Sequence, residues 1–257
     1  MKIYYYHIVM SKVRYNLDDI IKNSFEETME YLKKNNIQIK EKLSLVILRS
    51  YEEYQQKYGT NPRIHVGEYE GQENDVYIIK NGLKEIINSY INNPNRIFIG
   101  NLVAITHNGI LWPVYKNDND IENVIAEAVT DSIVTREIGH HIVGQGNWKA
   151  SAFAFLVYFY KNELYKYPEV YEIMEQNMKM CEKYIKKKDS SLSYSLGYCF
   201  ANNLIYIYEN LLNKDKQSPK LNIKNMIEKL KYFSKDDEID ATRMINTLTK
   251  ILMLLYK

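Results

Sequence analysis

The sequence predicts an α+β fold: a mixed β-sheet carrying one long helix in the N-terminal part, followed by a mainly α-helical C-terminal part. Two observations predict it. Before about residue 120 short β-rich runs alternate with helical patterns, and beyond it almost every segment has a helical period. In addition, no fixed-period repeat and no Pro, Gly or Ser tract divides the 257 residues, 46% of which are apolar, so the chain can bury a substantial core. The expected division is 1–147 for the α+β part and 148–257 for a helical part that completes the same domain or forms an annex.

Residues 17–35 read as a helix, and Leu43-Ser44-Leu45-Val46-Ile47-Leu48 is a compact apolar run of strand length, suggesting a strand, helix, strand opening. Arg63-Ile64-His65-Val66 and Val76-Tyr77-Ile78-Ile79 flank a polar stretch with Gly71 and Asn74, the pattern of two strands joined by a long turn. Residues 82–92 are helical in pattern. Residues 97–106 and 110–112 surround Asn108-Gly109, a dipeptide that accepts the positive φ angles of a tight hairpin turn. Asp118-Asn119-Asp120 supplies N-cap chemistry for a helix running from about 120 to Val143 and stopping at Gly144. Further helices are expected at 149–166, 168–188, 192–213, 221–233 and 238–256, broken by Pro168, Ser190-Ser191 and Pro219. Phe153, Phe155, Tyr158, Phe159 and Tyr160 read as helix core.

The formal charge is +2 and the lysines are scattered, with Lys186-Lys187-Lys188 read as a solvated helix end, so neither nucleic acid nor an anionic membrane is an expected partner. Met1 to His7 lacks a signal peptide's apolar run, and a soluble cytoplasmic protein is expected. Cys181 and Cys199 are too few for a disulfide framework and lack CxxC spacing, so both read as small buried hydrophobes in a reducing compartment. Neither GxxxxGK[ST] nor GxGxxG occurs, which removes the usual signals of nucleotide chemistry. GxSxG is absent as well, although nucleophile and base partners distant in sequence leave that class partly open.

Chemistry concentrates on the helix beginning near residue 120. Ile125, Val129, Ser132, Arg136, His140 and Val143 follow steps of three and four and share one face, so an arginine and a histidine interrupt an inward stripe. A buried guanidinium needs a carboxylate or several acceptors, and an inward imidazole needs a hydrogen-bond or metal partner.

The segment Thr135-Arg136-Glu137-Ile138-Gly139-His140-His141-Ile142-Val143-Gly144 resembles the HEIGHH version of the HExxH helix of zincin metallopeptidases of the glutamate type, with Arg136 in place of the first histidine. The order of sheet and helices is similar over roughly residues 40–165. The resemblance implies a zincin-like fold, His140 as a zinc ligand, Glu137 as general base, and Glu163 from a following helix as third ligand. Another register, on Ala150-Ser151-Ala152-Phe153-Ala154-Phe155, places Lys149 or Ser151 at that third position. Arginine has no lone pair to give a metal. The resemblance therefore implies no cofactor, with zinc if the site is functional, and Arg136 bridging Glu137, Glu163 or another inward carboxylate.

The expected function is that of a catalytically impaired zincin-like protein that binds a peptide or protein partner. Two alternatives stand beside it. One is an active metal-dependent peptidase with Glu137 as base and His140 with Glu163 or His141 as ligands; Glu137 and His141, four apart, would also suit a shifted site. The other is a structural or assembly protein on an inherited scaffold. The Glu137-x-x-His140 spacing also occurs in di-iron bundles, but no second ExxH is present. His7, His65 and His107 are outside candidates for ligands, His107 being expected in solvent beside the hairpin turn, though an ordinary histidine is the simpler account of each.

Overall fold

The computed structural model describes residues 15–39, 42–59, 66–93, 96–107, 109–115, 120–187, 193–213, 218–233, 243 and 245. The strand expected ahead of residue 17, the segment Arg63 to His65 and all of 238–256 except Arg243 and Ile245 lie outside the described residues, as does His7.

Helix α1, Leu17–Lys34, begins where the Asn16 side chain accepts the Asp18 N–H at 3.2 Å. Asp18 and Asp19 sit in its first turn and Lys33 and Lys34 in its last, both signs matching the helix dipole. Its buried residues Ile21, Ser24, Thr28 and Leu32 are spaced three, four and four apart, so one stripe faces the core. Strand β1, Ser44–Leu48, is followed by a short helix α2, Tyr51–Tyr58, that the sequence pattern does not announce. Strands β2, Gly67–Glu70, and β3, Asp75–Ile79, complete a three-stranded sheet of order β1-β3-β2, with β1 parallel and β2 antiparallel to β3. Helix α3, Lys80–Ile91, leaves β3 directly.

The next three strands form a separate antiparallel sheet rather than extending the first, so the single mixed sheet expected from sequence is two small sheets. They are β4, Ile97–Ile99, β5, Leu102–His107, and β6, Ile110–Tyr115. The β5–β6 hairpin closes at His107↔Ile110 with Gly109 at φ 84°, the left-handed geometry for which glycine was expected there.

Helix α4, Ile121–Val143, starts at Asp120, whose side chain accepts the Glu122 N–H at 3.1 Å, and ends at Gly144 with φ 82°. Helix α5, Asn147–Lys161, lies between α4 and α7, Ser193–Ile205, and every residue from Trp148 to Tyr160 is buried. Close approach on both sides requires glycine. A Cβ on Gly139 of α4 would sit 2.8 Å from the Phe153 ring, and one on Gly197 of α7 would sit 2.0 Å from the Trp148 carbonyl oxygen. Trp112 of β6 joins this layer to the second sheet, its ring 4.9 Å from Phe155, 4.8 Å from Tyr158 and 5.3 Å from Tyr198. Such aromatic pairs contribute roughly 0.5–1.5 kcal/mol each beyond their buried area.

Two helical expectations change. α5 ends at Lys161, short of 166: Asn162 caps it, Glu163 turns left-handed at φ 50°, and Leu164–Lys166 form a separate turn of 3-10 helix. α7 passes into a stretch of π-helix, Tyr206–Leu211, where the buried Glu209 accepts N–H bonds from Lys220 and Leu221 and the Tyr160 hydroxyl at 2.6 Å. Helices α6, Glu169–Lys187, and α8, Ile223–Tyr232, complete the described chain. Cys181 of α6 and Cys199 of α7 are buried, as expected, but joined in a disulfide. The reading of two separate thiols is thereby corrected: packing α6 on α7 brings the pair to a Cα–Cα distance of 5.7 Å, within bonding range. Among the described residues no helix is long and apolar enough to cross a membrane.

Candidate functional site

The inward stripe of α4 is present. Ile125, Val129, Ser132 and Val143 are buried, and the Arg136 side chain on the same face retains 14% exposure. The Arg136 guanidinium meets the Glu137 carboxylate: Nε donates to Oε1 at 3.0 Å, and Nη2 donates to the same oxygen in a shorter contact. Adjacent helix residues do not face each other, so the pair forms only because the arginine side chain bends round the helix surface. On its other face the guanidinium lies 4.7 Å from the centre of the Tyr194 ring, a cation–π arrangement supplied by α7. Burial opposes the charge on Arg136, but Glu137 and the Tyr194 and Tyr198 hydroxyls outweigh it, and the group is held firmly protonated.

Glu137 is only 2% exposed, and strand β2 lies directly over it. Glycine at 67 permits this: a Cβ there would stand 3.0 Å from the Glu137 Cγ and 3.1 Å from Ile133. A cleft of about 330 Å³ opens beside the pair, lined by Glu68 and Tyr69 of β2, Arg136, Glu137 and His140 of α4, and Tyr194. Burial lowers the pKa of His140, with Glu137 opposing the change and Arg136 and Lys149 adding to it, so its imidazole is favoured in the neutral form. The cleft thus presents the Arg136 guanidinium, the Glu68 and Glu137 carboxylates and the His140 imidazole beside strand β2.

The other candidate ligands are not brought here. Glu163 is outside any α-helix, its side chain 56% exposed and paired with Lys166 at 2.5 Å. His141 points to the neighbouring face, where its Nδ1 pairs with the Tyr69 hydroxyl at 2.8 Å and the two rings meet edge to face. In the alternative register Lys149 is buried and donates to the Phe233 carbonyl at 2.9 Å, while Ser151 packs against Gly197 of α7. His107 is also corrected: it is 5% exposed, not in solvent, because α3, α4 and α7 cover the end of β5. Its Nε2 pairs with the Ser132 hydroxyl at 2.9 Å and its Nδ1 with Tyr90 at 2.6 Å.

A catalytic zinc needs three protein ligands and an open position. Arginine cannot be one, Glu163 is exposed and paired with Lys166, and His141 turns to the neighbouring face with its Nδ1 on Tyr69. Among the described residues no group of three or more His, Cys, Asp or Glu side chains comes together to hold a metal ion. Sequence reasoning placed Arg136 beside Glu137 but did not find Tyr194, Gly67 or Tyr69, whose roles depend on elements distant in the chain. Comparison with family models, with curated proteins and with solved structures finds no match.

Proposed function

We propose that this chain is a zincin-like protein whose metal centre has given way to an ion pair, and whose cleft binds an extended peptide. The observation that carries the reading is the Arg136–Glu137 pair clasped by Tyr194. In a zincin helix the glutamate would accept a proton from metal-bound water, whereas here Oε1 already takes both guanidinium bonds. That pairing replaces water activation with fixed, complementary charge.

Peptide recognition is supported by the sheet. β2 pairs with β3, and its residues Gly67 to Tyr69 line the cleft, so a guest strand laid along the edge of β2 would sit beside Arg136 and His140. Along that edge backbone hydrogen bonds supply affinity, and the Arg136, His140 and Tyr194 side chains discriminate between side chains of the guest. The structural or assembly reading gives no role to a polar cleft of this composition.

The test combines metal content with binding. Untagged protein is expected to carry far less than one zinc per chain by elemental mass spectrometry. Extended peptides selected from a random display library are expected to bind it and to lose at least about tenfold affinity to Tyr194→Ala, roughly 1.4 kcal/mol. Stoichiometric zinc, chelator-sensitive peptide cleavage lost in Glu137→Ala, or failure to select any peptide would each overturn the proposal.

A further inference from the structure

On the far side of Arg136 from the peptide cleft lies a second cavity, of about 210 Å³, reached between β2, α3, α4 and α7. Its wall carries a hydrogen-bonded chain of three side chains from three separate elements: Ser132 of α4, His107 of β5 and Tyr90 of α3. Ser132 is 1% exposed and His107 5%, so bulk water is held off both. Arg136 lines the same cavity one helical turn after Ser132, and Val66, Ile86 and Ile133 supply apolar surface.

We infer that Ser132 is a nucleophile activated by His107, and that this cavity accepts small acyl esters. The geometry is that of a nucleophile, its base and a group that orients the base, arranged in series. In the tautomer this role requires, the Ser132 hydroxyl donates to His107 Nε2 across 2.9 Å, and the ring proton on Nδ1 is donated to the Tyr90 oxygen across 2.6 Å. Tyr90 holds the ring plane and acts as a positioning residue. Edge-to-face packing of His107 on Trp112, with centroids 5.5 Å apart, restrains the same ring.

The reaction balances without a cofactor. The Ser132 O–H bond breaks as its proton passes to Nε2, and Oγ forms a bond to the acyl carbon. The bond to the leaving oxygen then breaks, and the leaving alkoxide takes the proton from Nε2 and departs as an alcohol. Water repeats the sequence on the acyl-serine, releasing a carboxylic acid and restoring the hydroxyl. Negative charge on the carbonyl oxygen develops next to the Arg136 guanidinium, the nearest fixed cation lining the cavity. The limited volume restricts the acyl part to a few carbons.

Among the described residues, the charged and titratable groups facing His107 include Tyr90 from α3, Arg136 from α4 and Tyr198 from α7. Burial first and Arg136 second push its pKa down to about 4, so the imidazole is a neutral acceptor through the whole range above pH 5. Acylation is therefore expected to persist at pH 5.5, where an ordinary imidazole base, with a pKa of about 6.5, would be mostly protonated.

The experiment treats the full chain with diisopropyl fluorophosphate and, separately, with p-nitrophenyl acetate. Expected is one diisopropylphosphorylated or acetylated site per chain, with fluoride or p-nitrophenol released, mapped by peptide mass spectrometry to Ser132. Labelling should be lost in Ser132→Ala and slowed at least about 100-fold in His107→Gln, the usual range for loss of a general base. Because both substitutions touch a buried chain, mapping on the unaltered protein decides by itself. Folded protein that stays unmodified, modification at another residue, or a rate that collapses below pH 6.5 overturns the assignment.

Discussion

Removing Arg136 tests the central ion pair, and its magnitude follows from burial. Glu137 is 2% exposed and Arg136 14% exposed, so neither charge is returned to water when its partner is deleted. Arg136→Ala leaves a carboxylate under strand β2 with no cation against it. It also removes the guanidinium from the Tyr194 ring, 4.7 Å away. Breaking a buried pair from one side costs about 3–5 kcal/mol, the lower end applying here because a cleft borders the site. For a chain of this size about 3 kcal/mol corresponds to a fall in Tm of roughly 6–12 °C. Replacing both partners by apolar residues of similar volume, as in Arg136→Met with Glu137→Leu, removes the uncompensated charge. The double variant should then be more stable than the sum of the single losses by at least about 2 kcal/mol. Thermal unfolding of the unaltered protein, Arg136→Met, Glu137→Leu and the double variant at one pH and ionic strength completes the cycle. A single-variant cost under about 1 kcal/mol, or a coupling near zero, would show that the pair is a solvated surface contact, and the ion-pair reading of α4 would fail.

Two further outcomes follow from buried groups. Reduction of the Cys181–Cys199 bond releases a loop of 18 residues, worth about 3 kcal/mol in loop-closure entropy, so unfolding in dithiothreitol should begin at distinctly lower denaturant; equal midpoints with and without reductant would refute it. His107 is pushed down to about 4 by burial and by Arg136, so between its unfolded value near 6.5 and that value the unfolded chain binds more protons than the folded one. The stability it confers is present above pH 6.5 and is lost as pH falls towards 4, amounting to about 2 kcal/mol by pH 5. Denaturant titrations at pH 8 and pH 5 should show that loss in the unaltered protein and a smaller one in His107→Gln, and equal losses would contradict it.

What the sequence disclosed is what local chemistry writes into it. Asp120 and Gly144 bound α4 because a capping carboxylate and a left-handed stop are properties of single residues, and Gly109 marks the hairpin for the same reason. The step of three and four that put Arg136 on the inward face is likewise local. The rest depended on distant segments. His107 adjoins a turn and would be exposed in an isolated hairpin; its burial comes from α3, α4 and α7, whose residues lie up to about ninety positions away in sequence. Cys181 and Cys199 stand on different helices, and only the packing of α6 on α7 makes them a pair. Glu163 lies in the short polar break Lys161-Asn162-Glu163 before the apolar pattern resumes at Leu164, and three polar residues alone do not distinguish a helical surface turn from the left-handed turn that takes it out of the helix. Helix α2 is only 8 residues long, too short for periodicity to separate it from a loop.

Arg136 links the two cavities, and this gives the two proposals separable consequences. Toward the peptide cleft its charge is met by Glu137; toward Ser132 it stands beside a neutral hydroxyl and a neutral imidazole. A guanidinium has five N–H donors in a rigid plane, and the bonds to Glu137 use only Nε and Nη2, leaving donor capacity on Nη1 for a second acceptor. On these two proposals the guanidinium that pairs with Glu137 also supplies a cation for an oxyanion one helical turn away. If one guanidinium supports both sites, Arg136→Met should impair peptide binding and serine acylation together. Ser132→Ala should remove acylation alone, because its hydroxyl does not line the peptide cleft. Loss of peptide affinity in Ser132→Ala at unchanged stability would mean that the two cavities act as one site, and the division made here along Arg136 would have to be withdrawn.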